Sequence, residues 1–344
     1  MADLTQNLLD AVSEAHERSN PIYLRAGGTK ANSVGRDCNA HVLDISGHSG
    51  VIDYEPGELV LRARAGTTLA ELTELLAGEG QMLPFEPPAF GGKATLGGTL
   101  ACNLSGPGRP WFGSVRDATM GLGLINGRAE HLALGGKVMK NVAGYDASRL
   151  QAGALGCLGL ITDMAVKVLP LPEASVTLRY EVDAQQALAT MCERAAAPRP
   201  LTGACWLDGQ LYLRLAGASS AVQATAAQWG GEQLDNAGAF WADLRDMALP
   251  FFSASSPLWR LSTSATEALT PDVGLIDWAG QQRWAHSQAA PQVQAGHAVM
   301  FAGGDRSAEV RGELDPVQQR LQHKLKQAFD PGNIFNPGRL YSWM

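Results

Sequence analysis

The chain contains no run of eighteen apolar residues, so it offers no candidate for a membrane-crossing helix. Its first nineteen residues, MADLTQNLLDAVSEAHERS, carry acids from Asp3 onward and no apolar core, and do not read as a secretory leader. Cysteine is scarce: Cys38, Cys102, Cys157, Cys192 and Cys205 are an odd number without a CxxC pair. That argues against a disulfide framework or an iron–sulfur cluster and for reduced thiols in a cytoplasmic protein. His131, His286 and His323 lack metal-ligand spacing, so no metal is expected. Lys and Arg total 27 against 34 Asp and Glu, a formal charge of −7, which excludes a general nucleic-acid binder. Two common nucleotide signatures are also missing. No GxGxxG follows the first apolar run and GxxxxGK[ST] occurs nowhere, so neither a Rossmann nor a P-loop holder is indicated.

What the sequence does have is glycine in one place. Residues 91 to 159 hold sixteen of the thirty-nine glycines, most beside Thr, Ser, Asn, Lys or Arg. Glycine loses more entropy on folding than other residues, so such density suggests positive φ or close approach of backbone to a bulky group. Bare N–H groups on such loops suit an anion such as a pyrophosphate. A second, shorter cluster, Arg25-Ala26-Gly27-Gly28-Thr29-Lys30, follows the apolar run Ile22-Tyr23-Leu24 and reads as a strand feeding a phosphate cradle or a plain turn.

With 344 residues, two domains are the natural expectation. A first helix is expected from an Asp3 cap, with Leu4, Leu8, Val12 and Ala15 on one face. Short strands are expected at Val42–Ile45, Val51–Tyr54 and Glu58–Ala65, and Thr68 with Glu71 forms a capping box for a helix through Ala77. Beyond the stiff Leu169-Pro170-Leu171-Pro172 the glycines thin out. Strand–helix alternation follows, with a hairpin turning at Asp208-Gly209, and Trp206, Trp241, Trp278 and Trp284 are expected in that core. The last helix should start at Asp315-Pro316 and bury Val317, Leu321, Leu325 and Ala328; the tail after it must dock on something.

Four segments together, RAGGTK, ATLGGTLACNLSG, KNVAGYDASRLQAGALGCLGLIT and FDPGNIFNPGRL, resemble the FAD-binding fold of the vanillyl-alcohol oxidase and p-cresol methylhydroxylase (PCMH) type. Within it the whole chain is similar to the FAD-binding subunits of bacterial glycolate oxidases. The resemblance implies an α+β fold, a PCMH-type two-subdomain FAD-binding domain with an inserted antiparallel α+β cap domain. The expected division is residues 1–171 for the FAD domain, 172–314 for the cap, and 315–344 for a helix and tail that return to the FAD domain. It implies FAD held by Gly27, Gly28, Thr29 and Lys30 at the pyrophosphate, by Thr95, Leu96, Gly97, Gly98, Asn103, Ser105 and Gly106 along the ribityl chain and ring, and by Gly156, Gly159 and Ile161 at the adenine end. Where the family commonly has GSEGTLGxxTE, this chain places Ala154, Leu155 and Cys157 at the Ser, Glu and Thr positions, so polar contacts there must come from backbone or water. No His or Cys stands in residues 25–30, which favours non-covalent FAD.

The same resemblance implies partners, a catalytic FAD-containing subunit and an iron–sulfur subunit, with any membrane association arising through them. Oxidising a 2-hydroxy acid at a flavin needs a cation for the carboxylate, a base for the hydroxyl proton, and the ring at the α-carbon. Related catalytic subunits carry a cap motif resembling PxGHxGDGNxH; here Gly296-His297-Ala298-Val299 keeps one histidine and lacks the rest. His297, Arg260 and Lys140, with Asn141 and Arg306 beside them, are therefore the weak candidates for chemistry. Two roles stay open: a subunit that relays electrons to partners, and an autonomous oxidase or dehydrogenase of a small hydroxy acid or sugar. A flavin-binding assembly subunit is the third.

Overall fold

The computed structural model describes residues 2–136 and 146–344; Lys140 and Asn141 lie outside the described residues. The first body is built on a five-stranded antiparallel sheet in the order Val51–Glu55, Val60–Arg64, Leu160–Lys167, Thr119–Ile125, His131–Gly135. The helix Leu69–Gly78 buries Leu69, Leu72 and Leu76 against it, one apolar residue per turn on one side. Each such leucine contributes roughly 1.5–3 kcal/mol. The expected capping box starts that helix: Thr68 Oγ1 accepts from Glu71 N at 3.2 Å and Glu71 Oε2 accepts from Thr68 N at 3.0 Å.

A parallel pair of short strands, Ile22–Arg25 and His41–Asp44, lies beside this sheet and is covered by the helix Thr5–Glu17 through Leu8, Val12 and Ala15. Asp3 is not that helix's N-cap. Leu4 holds the position, and Asp3 sits one residue earlier, where its Oδ1 accepts from Thr5 N at 3.0 Å.

The second body is an eight-stranded antiparallel sheet in the order Glu232–Leu234, Ala174–Glu181, Gln210–Gly217, Leu201–Leu207, Val273–Asp277, Gln282–His286, Leu258–Thr263, Gly296–Ala302. Asp208 and Gly209 turn the expected hairpin with φ of 50° and 76°, the pair of positive φ values that matches strand twist. Alternation along Leu201–Leu207 gives the sheet two apolar faces. Ala204 and Trp206 meet the core under the helices Ala184–Ala196 and Ser219–Trp229, while Cys205 and Leu207 join Val34, Leu104, Leu155 and Tyr341 of the first body. The second sheet is thus pressed onto the glycine-rich loops. Trp241, Trp278 and Trp284 are buried and Trp206 is half-buried, as expected.

Polar ties fix the two bodies together. Arg214 Nη2 donates to Glu86 Oε1 at 2.7 Å, Ala89 N to Asp246 Oδ1 at 2.7 Å, and Trp278 Nε1 to the Gly106 carbonyl at 3.0 Å. Two departures from the sequence reading matter later. Several glycines of residues 91 to 159 serve strand packing: a Cβ on Gly123 would stand 2.3 Å from Asp163 Oδ2 and Thr162 Oγ1. The last helix, Pro316–Phe329, starts as expected, with Asp315 Oδ1 accepting from Val317 N and Gln318 N, but leaves Val317, Leu321 and Ala328 exposed and only Leu325 half-buried.

Candidate functional site

The loop after Ile22–Arg25, the helix start at Thr95, and the turn before Leu160–Lys167 converge on one cavity with about 740 Å³ of empty space, part of it open to solvent. Each wall is backbone for a physical reason. A Cβ on Gly27 would stand 1.8 Å from the Lys93 carbonyl oxygen, and Gly28 has φ of +66°. Among the described residues the backbone N–H groups of Gly27, Gly28, Thr29 and Lys30 donate to no protein acceptor. Four consecutive unspent donors are an anion cradle. Lys30 stands within it, its Nζ donating to Thr29 Oγ1 at 3.0 Å and lying 5.3 Å from the Phe90 ring centre, and burial lowers its pKa.

The chain's tail closes the cavity. Asn336 Oδ1 accepts from Leu24 N at 2.7 Å while its Nδ2 donates to the Leu155 carbonyl at 2.6 Å, so one side chain joins the first strand to the Gly156 turn. Arg339 Nη2 donates to the carbonyls of Lys30, Ala31 and Ser33 at 2.9–3.0 Å and its Nη1 to that of Arg36, which sets the far side of the glycine loop. Beneath them Lys326 Nζ donates to Asp330 Oδ2 at 2.7 Å, to the Cys157 carbonyl at 2.8 Å and to that of Phe335 at 3.0 Å. Asp330 in turn accepts from Ile334 N and Phe335 N. All three ammonium protons are used, so this buried pair is of the satisfied kind.

Of the fourteen residues expected to touch a cofactor, ten line this cavity: Gly27, Gly28, Thr29, Lys30, Thr95, Gly97, Gly98, Gly156, Gly159 and Ile161. The other four stand off it. Leu96 is fully buried in the apolar core; Ser105 Oγ accepts from Val115 N at 3.1 Å; Gly106 is spent on Phe85 and Trp278. Asn103 caps the helix Leu96–Cys102 with φ of 50°, and its Oδ1 is buried with no donor among the described residues. Tyr23, Arg25, Cys102, Asn336 and Arg339 also line the cavity and were not singled out from sequence. Cys102 and the tail pair lay inside quoted motifs, but nothing in a linear motif says which side chains turn inward.

On the second body's side the charges are of another kind. The Arg260 guanidinium forms no hydrogen bond among the described residues and lies 5.6 Å from the Phe301 ring centre. Burial, then repulsion from Arg311 and Arg109, pushes its pKa down to about 10. Arg311 has a buried Nε without a partner, and burial lowers its pKa too. Cys102 connects the two regions: burial raises its pKa against the pull of Lys30, Arg339, Arg311 and Arg260. His297, exposed on the edge strand and facing a groove shared with Arg311, has its pKa lowered by partial burial and by the same two arginines. Arg306, by contrast, is committed, with Nε donating to the Gly35 carbonyl at 2.8 Å.

An elongated anion suits the open N–H groups at one end of the cavity and the unpartnered guanidinium groups beyond it. Among the described residues no His, Cys, Asp or Glu cluster is suited to a metal ion, and no helix is long and apolar enough to cross a membrane.

Residues 2–149 match the family model described as FAD binding domain, and residues 293–340 match FAD linked oxidases, C-terminal domain. The glycolate oxidase subunit GlcE of Escherichia coli (strain K12) is 43% identical over 99% of this chain and 98% of its own length. A D-lactate dehydrogenase of Archaeoglobus fulgidus is 24% identical over 95% of this chain and 87% of its own. Among solved structures, p-cresol methylhydroxylase with substrate bound superposes with a TM-score of 0.72 at 14% identity, over 99% of this chain and 88% of that one, which shows a shared fold.

Proposed function

The chain belongs to the FAD-linked oxidase family and is an end-to-end homologue of the glycolate oxidase subunit GlcE, and from that membership we propose that it is the FAD-binding subunit of a glycolate-oxidising complex. In this reading it works with a catalytic flavoprotein subunit and an iron–sulfur subunit that convert glycolate to glyoxylate. The observation that carries the proposal is the row of unspent N–H groups from Gly27 to Lys30 in a cavity closed by Asn336 and Arg339.

Bound FAD supplies a ring that accepts a hydride and passes electrons on singly. The chain's residues hold it: the Gly27–Lys30 amides and the Lys30 ammonium take the phosphates, and the walls at Thr95, Gly97, Gly98, Gly156, Gly159 and Ile161 admit its length. Retention is non-covalent. The cavity's thiol, Cys102, is kept protonated by burial and is a poor nucleophile in that form.

A second reading, in which the chain itself oxidises a small 2-hydroxy acid, is favoured by the unpartnered Arg260 and Arg311, since two desolvated guanidinium groups suit a carboxylate. Among the described residues it lacks a placed base: His297 has no carboxylate partner there to orient it, and the sequence lacks the residues that complete the motif in related catalytic subunits. Anaerobic glycolate added to the purified, flavin-loaded chain separates the readings. The first expects the yellow colour to persist until the partner subunits are added. Bleaching of the isolated chain would establish the second, and a chain that purifies colourless even with its partners would end both.

A further inference from the structure

The helix Pro316–Phe329 turns a mixed side inward and leaves an aliphatic pair outside. At 100° per residue, Gln319, Gln322, Lys326 and Phe329 share one face with Leu325 at its edge, and these are its half-buried or buried positions. Gln322 Oε1 is buried without a donor among the described residues. The opposite face runs Val317, Leu321, Lys324, Ala328, and there Val317 is 53% and Leu321 54% exposed. A surface helix normally does the reverse. Arg320 and Lys324 border the apolar pair, and the helix carries no acid; the carboxylate of Asp315, just before it, is held by Val317 N and Gln318 N. Beyond Arg320 lies His323, its ring 4.1 Å from the half-buried Trp343, which stacks on Tyr341 at 5.3 Å.

We propose that this face, centred on Val317 and Leu321 and flanked by Arg320, Lys324 and Trp343, is where another protein subunit docks, through an apolar strip rimmed by carboxylates. The inference rests on the reading of the chain as one subunit of a complex. Charge selects the occupant: in a chain of net charge −7, an acid-free helix face with two outward cations complements an acidic rim and disfavours a second copy of the same cationic face. The mixture of exposed aliphatic residues, an arginine and a partly exposed tryptophan has the composition of an interface centre. Position adds a consequence. The same helix carries Lys326, whose ammonium holds the Cys157 and Phe335 carbonyls behind the cavity, so a docked partner would brace the tail that closes it.

The test uses the full chain with the flavoprotein and iron–sulfur subunits from the same source. Leu321→Asp is expected to weaken assembly by at least about 30-fold, as for a central interface residue, with flavin content and melting temperature of the isolated chain unchanged. Arg320→Glu with Lys324→Glu, which leaves the apolar pair intact, is expected to slow association by about tenfold at low salt and to flatten its salt dependence. Assembly of both variants like wild type would overturn the docking face and leave the subunit reading standing. Failure of the wild-type chain to assemble would overturn the subunit reading and this inference with it. An isolated chain that is dimeric, and that Leu321→Asp makes monomeric while leaving assembly with the partners intact, would assign the face to self-association and also overturn it.

Discussion

The tail-closed cavity and the arginine cluster across from it treat charge in opposite ways. Around the cavity the cations of the tail are spent on the protein: Arg339 on four carbonyls, Lys326 on two carbonyls and a carboxylate. Across from it Arg260 and the Arg311 Nε are spent on nothing among the described residues, and no acid offsets their mutual repulsion. A saturated cation holds backbone in shape; an unsaturated buried one stores a demand for an anion. In the first region the tail's cations are thus committed to holding backbone in shape and leave the Gly27–Lys30 N–H groups to meet a ligand; in the second the cations themselves are left to be completed by one.

The comparison breaks most visibly if the saturated side proves dispensable. Lys326→Ala leaves the Asp330 carboxylate buried beside only backbone donors and frees the Cys157 and Phe335 carbonyls. We expect a loss of about 3–5 kcal/mol in chemical denaturation. Flavin per chain should fall with it, because Asn336 and Arg339 ride on the same tail. Full flavin content in a variant so destabilised would show that the tail is a structural strap and not part of the holder.

The unsaturated side predicts the opposite sign. Arg260→Met keeps an unbranched apolar stem and removes a desolvated, repelled charge, so the isolated chain should gain on the order of 2 kcal/mol. Its affinity for a small monocarboxylate, read by protection against thermal unfolding, should disappear. A variant that is less stable than wild type would mean that Arg260 has a structural partner after all, and the contrast between the regions would collapse.

Much of this arrangement was legible because short-range chemistry dictates it. The Thr68–Glu71 box, the Asp208-Gly209 hairpin and the Asp315-Pro316 helix start each depend on a few adjacent residues. The family resemblance carried by the glycine-rich segments implied ten residues that line the cavity. What stayed hidden depends on residues distant in sequence. The strands Thr119–Ile125 and Leu160–Lys167 lie at the middle of their sheet and are buried on both faces, so neither shows the alternation that identifies a half-exposed strand. The apolar stripe of the last helix was read correctly as a stripe, but only packing says whether it faces the core, and here Val317 and Leu321 face out. The roles of Asn336 and Arg339 needed contacts reaching back about three hundred residues.

The smallest effect concerns a buried group of the opposite sign on the second body's side of the seam. Asp277 is enclosed beneath Trp278, whose indole donates to Gly106 of the first body, and its pKa is pushed up to about 7 by burial, against a hydrogen bond from Trp278 N and the pull of Arg214. Because the folded value lies above the ordinary 3.8, the folded state holds a proton that the unfolded state has released in the interval between them. Stability therefore falls as pH rises from about 4 to about 7 and stays lower above that window. Asp277→Asn keeps an acceptor for Trp278 N and abolishes the titration, and Gln282 Oε1 can turn to receive the new amide. The variant should match wild type near pH 4 and exceed it at pH 8 by on the order of 1–2 kcal/mol, measured as urea midpoints across the range. A constant offset at every pH would mean that the substitution changes packing alone. A pH-dependent gain would place another uncompensated charge in the second body, this one silenced by a proton where Arg260 and Arg311 await an anion.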